Sequence, residues 1–235
     1  MATKFSEKLI EILRSVLTGT DEADLSGLSD QELAAIYRLA KAHNLSSMAG
    51  DYMSRHGVMN KVILRDMAYA QSNVEKQEKV MAEISKILNE ACIPFLPLKG
   101  IVIRKLYPRP WMRLSGDIDI LIHPEDRPRI IEALSQAPGM QFKAFCGEDH
   151  FTSADGVTID VSTVLHGPSA IDDHGTLMAD IWDHASPSAE TPALYVLSDA
   201  MLYTHAVNHM ARHLKTGGCG INHLMDLWVL NHRIP

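Results

Sequence analysis

The sequence predicts an α+β protein, with a small mixed β-sheet flanked by N-terminal and C-terminal helices. Three observations predict it. Residues 1–90 carry apolar side chains at helical spacing, residues 92–165 hold short apolar runs bounded by Pro and Gly, and helical spacing returns after Thr191. Of the 235 residues, 46% are hydrophobic, enough to build a core. The expected division is a helical region over 1–90, an α/β core over 91–170, and a C-terminal helical region over 171–235 that packs on the core.

The elements follow in order. Phe5, Leu9, Ile12, Leu13, Val16 and Leu17 form one helical face. Ser29-Asp30-Gln31-Glu32 has the form of a capping box, in which the serine accepts from a backbone N–H and the glutamate reaches back. Leu33, Ile36, Tyr37 and Ala40 then supply an apolar face. From about Asn60 to Glu90 the chain has no Gly or Pro and many good helix formers, which predicts one long helix. Cys92–Gly100 is short, apolar and punctuated by Pro, as expected of a buried strand entering a turn. Ile101–Tyr107 is expected to be a helix, Pro108–Gly116 a loop, Asp117–His123 a strand, and Pro124–Ala137 a helix with Pro in its first turn. Gln141–Phe145, His150–Ser153 and Val157–Leu165 are further strand candidates. The last helices are expected over Pro192–Leu214 and Ile221–His232, separated by Gly217-Gly218-Cys219-Gly220.

The formal charge of −7 argues against non-specific DNA binding, which depends on Lys and Arg neutralising phosphates. Cys92, Cys146 and Cys219 are odd in number, widely spaced and free of a CxxC pair, as expected of free thiols in a reducing cytosol. The N-terminus has no signal-peptide pattern, and no apolar run reaches the roughly 18 residues of a membrane span. A cytoplasmic protein without a membrane partner is the expectation.

The most informative segment is Arg113-Leu-Ser-Gly-Asp117-Ile-Asp119-Ile-Leu-Ile122. In a strand, residues two apart share a face. Asp117 and Asp119 then stand side by side, while Ile118, Ile120 and Ile122 point into a core. Two carboxylates at ~4 Å repel by about 4 kcal/mol at an effective dielectric of ~20. A shared proton, an arginine or a cation must offset that. Mg²⁺ takes one or two carboxylates together with phosphate oxygens, and two such ions can clamp an in-line displacement. Asp160 interrupts an apolar run in Val157-Thr-Ile-Asp160-Val, where an unpaired buried acid is costly. If its strand lies beside the first, it completes a three-aspartate site. The plainer reading of all three is exposed acids at strand ends.

Leu96-Pro-Leu-Lys99-Gly100 ends a strand and opens a helix. Free N–H groups, the close approach that glycine permits and the charge of Lys99 all favour phosphate there. The Walker pattern is absent. Arg104, Arg109 and Arg113 lie between this turn and the aspartates. Each can bind triphosphate oxygens or neutralise the carboxylates, or can serve only in surface salt bridges. Arg113, four residues before Asp117, is the strongest candidate.

These residues carry a resemblance. Lys99-Gly100, a short helix ending at Tyr107-Pro108, Arg113-x-x-Gly116-Asp117-Ile-Asp119-Ile-Leu, and a Pro124-Glu-Asp helix start resemble the uncharacterised nucleotidyltransferase family of the DNA polymerase β-like superfamily. His205-x-x-x-His209, the glycine break and Asp226-Leu resemble it too, and the likeness spans roughly residues 60–230. Asn222 stands where members of this type tend to carry Arg, and Ser162 where the third-acid strand usually carries His.

The resemblance implies a polymerase β-like core and Mg²⁺-dependent, pyrophosphate-releasing transfer of a nucleoside monophosphate from an NTP. Asp117, Asp119 and Asp160 would be the catalytic and metal-binding residues, with Mg²⁺, or Mn²⁺ in its place. Lys99, Gly100, Arg109, Arg113 and Gly116 would bind the nucleotide, for which ATP is the expectation. The acceptor stays open among a small molecule, a protein and RNA.

Two rivals stand beside this reading. One is a nucleotide-binding or protein-interaction domain on the same scaffold without catalysis. The other starts from the 12 histidines, of which His205, His209 and His213 recur every four residues on one helical face. Such spacing can hold Zn²⁺ and suggests a zinc-dependent hydrolase, although Ala206 occupies the glutamate position of HExxH. Alternatively, His205 and His209 pack against the core or line the nucleotide cleft.

Overall fold

A computed structural model describes residues 2–145, 148–165 and 169–233. Cys146, expected to be a free thiol, lies outside them. The chain forms two compact units, one of Met1–Val74, Ile103–Leu114 and Gly220–Val229, the other of Glu75–Val102, Ser115–Cys219 and Leu230–Pro235.

The first unit is helical. Helix α1 (Ala2–Thr18) buries Leu9, Ile12, Leu13, Val16 and Leu17, the stripe its periodicity predicts. Helix α2 (Asp30–Ala42) starts at the expected capping box. Ser29 accepts from the Glu32 amide, and the Glu32 carboxylate accepts from the Ser29 amide at 2.9 Å. Helix α3 (Ser46–Arg55) is buried at every position from Ser46 to Met53. It therefore shows no polar face. Gly50 lets it approach the next helix, because a Cβ there would stand 3.1 Å from Ile63 Cγ2. Helix α4 (Lys61–Glu90) is the predicted long helix, and its residues up to Val74 belong to this unit.

The second unit holds the sheet. Strand β1 is Phe95–Leu98 and leads into the short helix α5 (Gly100–Ile103). A 3₁₀ turn over Arg104–Leu106 follows where a continuous helix to Tyr107 was expected. Pro108 stops that helix: it disfavours helical backbone at Tyr107, which is extended at ψ 156°. Strand β2 is Asp117–Ile122 and helix α6 is Arg127–Ser135, shorter than predicted because Pro124–Asp126 forms a 3₁₀ turn of its own. Strands β3 (Gln141–Phe145), β4 (Glu148–Thr152) and β5 (Thr158–Ser162) complete a sheet of order β1-β2-β5-β4-β3. Only β2 and β5 are parallel; the other pairs are antiparallel.

One face of this sheet is apolar. Ile118, Ile120 and Ile122 of β2 and Ile159 and Val161 of β5 join Val80, Ile84 and Leu88 of α4 and Ile130 and Leu134 of α6 in one core. Their alternation leaves the intervening residues of β2 and β5 on the opposite face.

The region before the last helices differs from expectation. Strands β6 (Ala185–Pro187) and β7 (Tyr195–Leu197) pair with each other, and helix α7 runs Asp199–Thr216 instead of starting at Pro192. Tyr195-Val-Leu197 are good strand formers. Ser198, accepting from the Met201 amide, sets the helix start. Helix α8 (Ile221–Arg233) follows the glycines as predicted.

Candidate active site

Strand alternation places Asp117 and Asp119 on the face away from the isoleucines. In the parallel β2–β5 pair, Asp119 is directly opposite Asp160. One carboxylate oxygen from each of Asp117, Asp119 and Asp160 lies within 4.8 Å of the others. The side of the sheet opposite the core thus gathers the three acids singled out in the sequence. Among the described residues they form the one group of three or more His, Cys, Asp or Glu side chains that could hold a metal ion. All the donors are hard carboxylate oxygens, which suit Mg²⁺ or Mn²⁺ better than a metal that favours thiolate or imidazole.

Lys99 closes the site from the other side. Leu98 pairs with Asp119 across β1 and β2, so Lys99 stands just beyond the strand end, and its ammonium donates to Asp119 Oδ1. Lys99 adopts a left-handed backbone (φ 51°), which costs a non-glycine residue about 1 kcal/mol and persists because the surrounding turn fixes it. Gly100 opens α5 directly after it. With only four residues, α5 contributes little dipole, so the charge of Lys99 has to carry most of the attraction for an anion.

The electrostatics record the crowding of negative charge. Burial holds the Asp119 carboxyl above its usual range. Lys99 pulls it down, and Asp117 and Asp160 push it up further. A bound cation would relieve the same excess.

His150 was not foreseen. It lies opposite Asp160 in the antiparallel β4–β5 pair, and its Nδ1 is 2.7 Å from Asp160 Oδ1. A carboxylate only accepts, so Nδ1 carries the proton in this contact. The turn at Asp155-Gly156 was the available signal. A hairpin centred there sets Thr152 against Thr158 and therefore His150 against Asp160.

Helix α7 supplies the facing wall. A cavity of about 520 Å³ is lined by the three aspartates and Lys99 together with His205, Asn208, His209 and Arg212. That volume falls within the range of small-molecule sites. His205 is buried and held neutral, its pKa pushed down to about 4 first by burial and then by Lys99 and Arg212. The Nε2 atoms of His209 and His213 are 3.2 Å apart. Both expected cleft histidines, His205 and His209, therefore line the cavity.

Arg113, expected on the triphosphate, bonds Asp226 through Nε at 3.2 Å and through Nη2 at 2.8 Å. Tyr107 donates to the same carboxylate at 2.7 Å. Arg109 is exposed, with its guanidinium 5.9 Å from the Trp111 ring centre. Both arginines belong to the helical unit. Gly116 precedes β2 with open space where a side chain would stand.

A five-stranded mixed sheet that brings an Asp-x-Asp strand beside a strand with a third aspartate defines a candidate centre for cation-assisted phosphoryl chemistry. The chain belongs to the uncharacterised nucleotidyltransferase family, whose model matches residues 29–234. Among curated proteins none matches the chain. Two solved structures are similar to parts of it. A candidate nucleotidyltransferase from Thermotoga maritima has 12% identity and a TM-score of 0.40, over 57% of this chain and 84% of that one. An antigenic nucleotidyltransferase-like protein from Paracoccidioides brasiliensis has 11% identity and a TM-score of 0.44, over 65% of this chain and 73% of that one. Among the described residues, no helix is long and apolar enough to cross a membrane.

Proposed function

We propose that this protein transfers a nucleoside monophosphate from an NTP, with ATP as the first candidate, to an acceptor hydroxyl. Asp117, Asp119 and Asp160 would hold Mg²⁺ or Mn²⁺, and Lys99 would serve the triphosphate. The observation that carries this reading is the convergence of the three carboxylates within 4.8 Å beside the Lys99 ammonium. The bound cation supplies charge neutralisation for the phosphates and for the acceptor oxygen.

The residues divide the remaining work. Asp117 and Asp119 orient the triphosphate by fixing where the cation sits. Lys99, paired with Asp119, would serve the phosphates if a cation took over as the partner of Asp119. Gly100, buried at the start of α5, would present no Cβ to a phosphate that reached the turn. Asp160, whose strand β5 lies on the far side of β2 from β1, would take the acceptor proton. In the reaction the acceptor oxygen bonds the α-phosphorus, the bond to the bridging oxygen breaks, and pyrophosphate leaves with its electron pair. Catalysis of this kind is mainly positioning and electrostatics.

The test is a thermal-shift screen of the four NTPs with and without Mg²⁺, followed by pyrophosphate release from whichever NTP binds. Asp117→Asn should abolish release while leaving the circular dichroism spectrum unchanged. The absence of any Mg²⁺-dependent shift, or near-normal release by the variant, defeats the reading.

A further inference from the structure

Nucleotidyl transfer by three aspartates leaves the histidines of α7 without a task. His205, His209 and His213 recur every four residues, and side chains four apart are neighbours on one helical face. The structure divides them. His205 is buried, and its ring centre is 6.4 Å from that of His209. His209 is half-buried and His213 exposed, and both line the cavity. Their Nε2 atoms are 3.2 Å apart while their ring centres are 4.6 Å apart, so the two rings turn their Nε2 edges toward each other.

That separation is the bite of a chelating pair. Two imidazole nitrogens, each about 2.0–2.1 Å from one tetrahedral Zn²⁺, stand roughly 3.3 Å apart. Histidines at i and i+4 of a helix supply such a pair in zinc enzymes. In the metal-free protein one Nε2 donates to the other. Moving that proton to Nδ1 of the same ring turns both Nε2 lone pairs to a cation. Imidazole suits Zn²⁺, Cu²⁺ and Ni²⁺, whereas the oxygens of Asp117, Asp119 and Asp160 suit Mg²⁺ and Mn²⁺, so the two groups select different metals.

Charge does not forbid a cation there. Arg212 and Lys215 line the same wall, but the three carboxylates line the cavity too, and Asp173 pairs with Lys215 at 2.9 Å. Among the described residues no third histidine, cysteine or carboxylate joins the pair, which leaves the remaining coordination positions to water or a small anion. Met210 stands where the HExxH pattern has its glutamate, so the pair lacks the general base of a zinc hydrolase.

We propose that His209 and His213 form a second cation site, chelating Zn²⁺ or a neighbouring late first-row divalent ion on the α7 wall of the cavity. The site goes beyond the nucleotidyl-transfer reading and does not rest on it, because it shares no ligand with the three aspartates.

Zn²⁺ binding to the intact chain is measured by calorimetry in excess Mg²⁺, which occupies the carboxylates. The wild type should bind Zn²⁺. His213→Ala and His209→Gln should each weaken binding by at least the 10- to 100-fold that follows from removing a group behind a metal ligand. His213 is exposed, so its variant should keep the circular dichroism spectrum of the wild type. One equivalent of Cu²⁺, read by electron paramagnetic resonance, should show one more coordinated imidazole nitrogen in the wild type than in His213→Ala. Absence of Zn²⁺ binding by the wild type, or equal affinity in wild type and His213→Ala, overturns the proposal. So does a larger loss in Asp117→Asn than in the histidine variants, because Zn²⁺ would then sit on the carboxylates. Zn²⁺ binding without any response to Mg²⁺ sinks the transfer reading and leaves this site standing, and the reverse result sinks this site alone.

Discussion

Asp160 is bracketed across the sheet, with Asp119 opposite it on β2 and His150 opposite it on β4, the imidazole Nδ1 2.7 Å from Asp160 Oδ1. The histidine fixes which way this carboxylate faces, and Asp160 is the one acid of the three that comes from a second strand. Groups hydrogen-bonded behind a metal-binding side chain typically matter 10- to 100-fold in affinity or rate. His150→Ala should lower Mn²⁺ affinity and NTP turnover by an amount in that range, with the fold unchanged. His150→Gln, which can donate to the same oxygen, should recover part of both. Mn²⁺ binding followed by electron paramagnetic resonance checks the first and pyrophosphate release the second. Equal Mn²⁺ affinity in wild type and His150→Ala would show that Asp160 needs no such support.

On the proposed reading, a divalent cation held by Asp117, Asp119 and Asp160 would stabilise the fold. A ligand that binds only the native state contributes about 2.7 kcal/mol at roughly 100 times its dissociation constant. Mg²⁺ or Mn²⁺ should therefore raise the melting temperature, and K⁺ at equal ionic strength should not. Chelation should reverse the gain. Asp119→Asn should remove the response to the cation and raise the stability of the metal-free protein relative to wild type, because a buried, repelled carboxylate is replaced by a neutral amide. A metal-free variant less stable than wild type would mean that the Lys99–Asp119 pair outweighs the repulsion.

The sequence displayed some of this and hid the rest for physical reasons. The β2 segment announced itself because strand alternation is local: Ile118, Ile120 and Ile122 define the core face, and the aspartates fall on the other. Ser29 and Glu32 were legible for the same reason, since a capping box spans one turn. Helix α3 was hidden because burial on every side erases periodicity. Arg113 drew notice from its place beside Asp117, while its carboxylate partner, 113 positions away in the chain, was hidden. His150 was hidden by a pairing register that only the hairpin turn could have revealed. Pro192 suggested a helix start, but the pairing of Tyr195-Val-Leu197 with β6 took that segment into a strand.

Arg113, Tyr107 and Asp226 form a buried network in the helical unit, with Asp226 4% exposed. Asp226→Ala leaves the guanidinium of Arg113 enclosed without its counter-ion, and breaking such pairs costs about 3–5 kcal/mol. Tyr107→Phe removes one hydrogen bond to a charged group and should cost roughly 1.5–3 kcal/mol. Urea denaturation of the three proteins gives the ranking. If Arg113 serves the nucleotide instead, Arg113→Gln should weaken Mg²⁺·ATP binding as well as stability. If its role is this network alone, stability falls and nucleotide affinity does not.

His205 gives stability a pH dependence whose sign follows from its burial. The folded protein keeps the imidazole neutral down to about pH 4, because burial, Lys99 and Arg212 all disfavour the charge. In the unfolded chain the same group takes a proton near pH 6.5. The folded state therefore binds fewer protons between these values. The contribution of His205 is fully present above about pH 6.5 and is lost progressively as the pH falls toward 4, by about 3 kcal/mol in all. His205→Gln is neutral throughout and lacks this loss. Unfolding free energies measured from pH 7 to pH 4 should thus fall more steeply for wild type than for His205→Gln, with the gap opening below pH 6.5. Parallel curves for the two proteins would mean that the folded protein accepts the proton as readily as the unfolded chain, which requires the α7 wall to open to solvent.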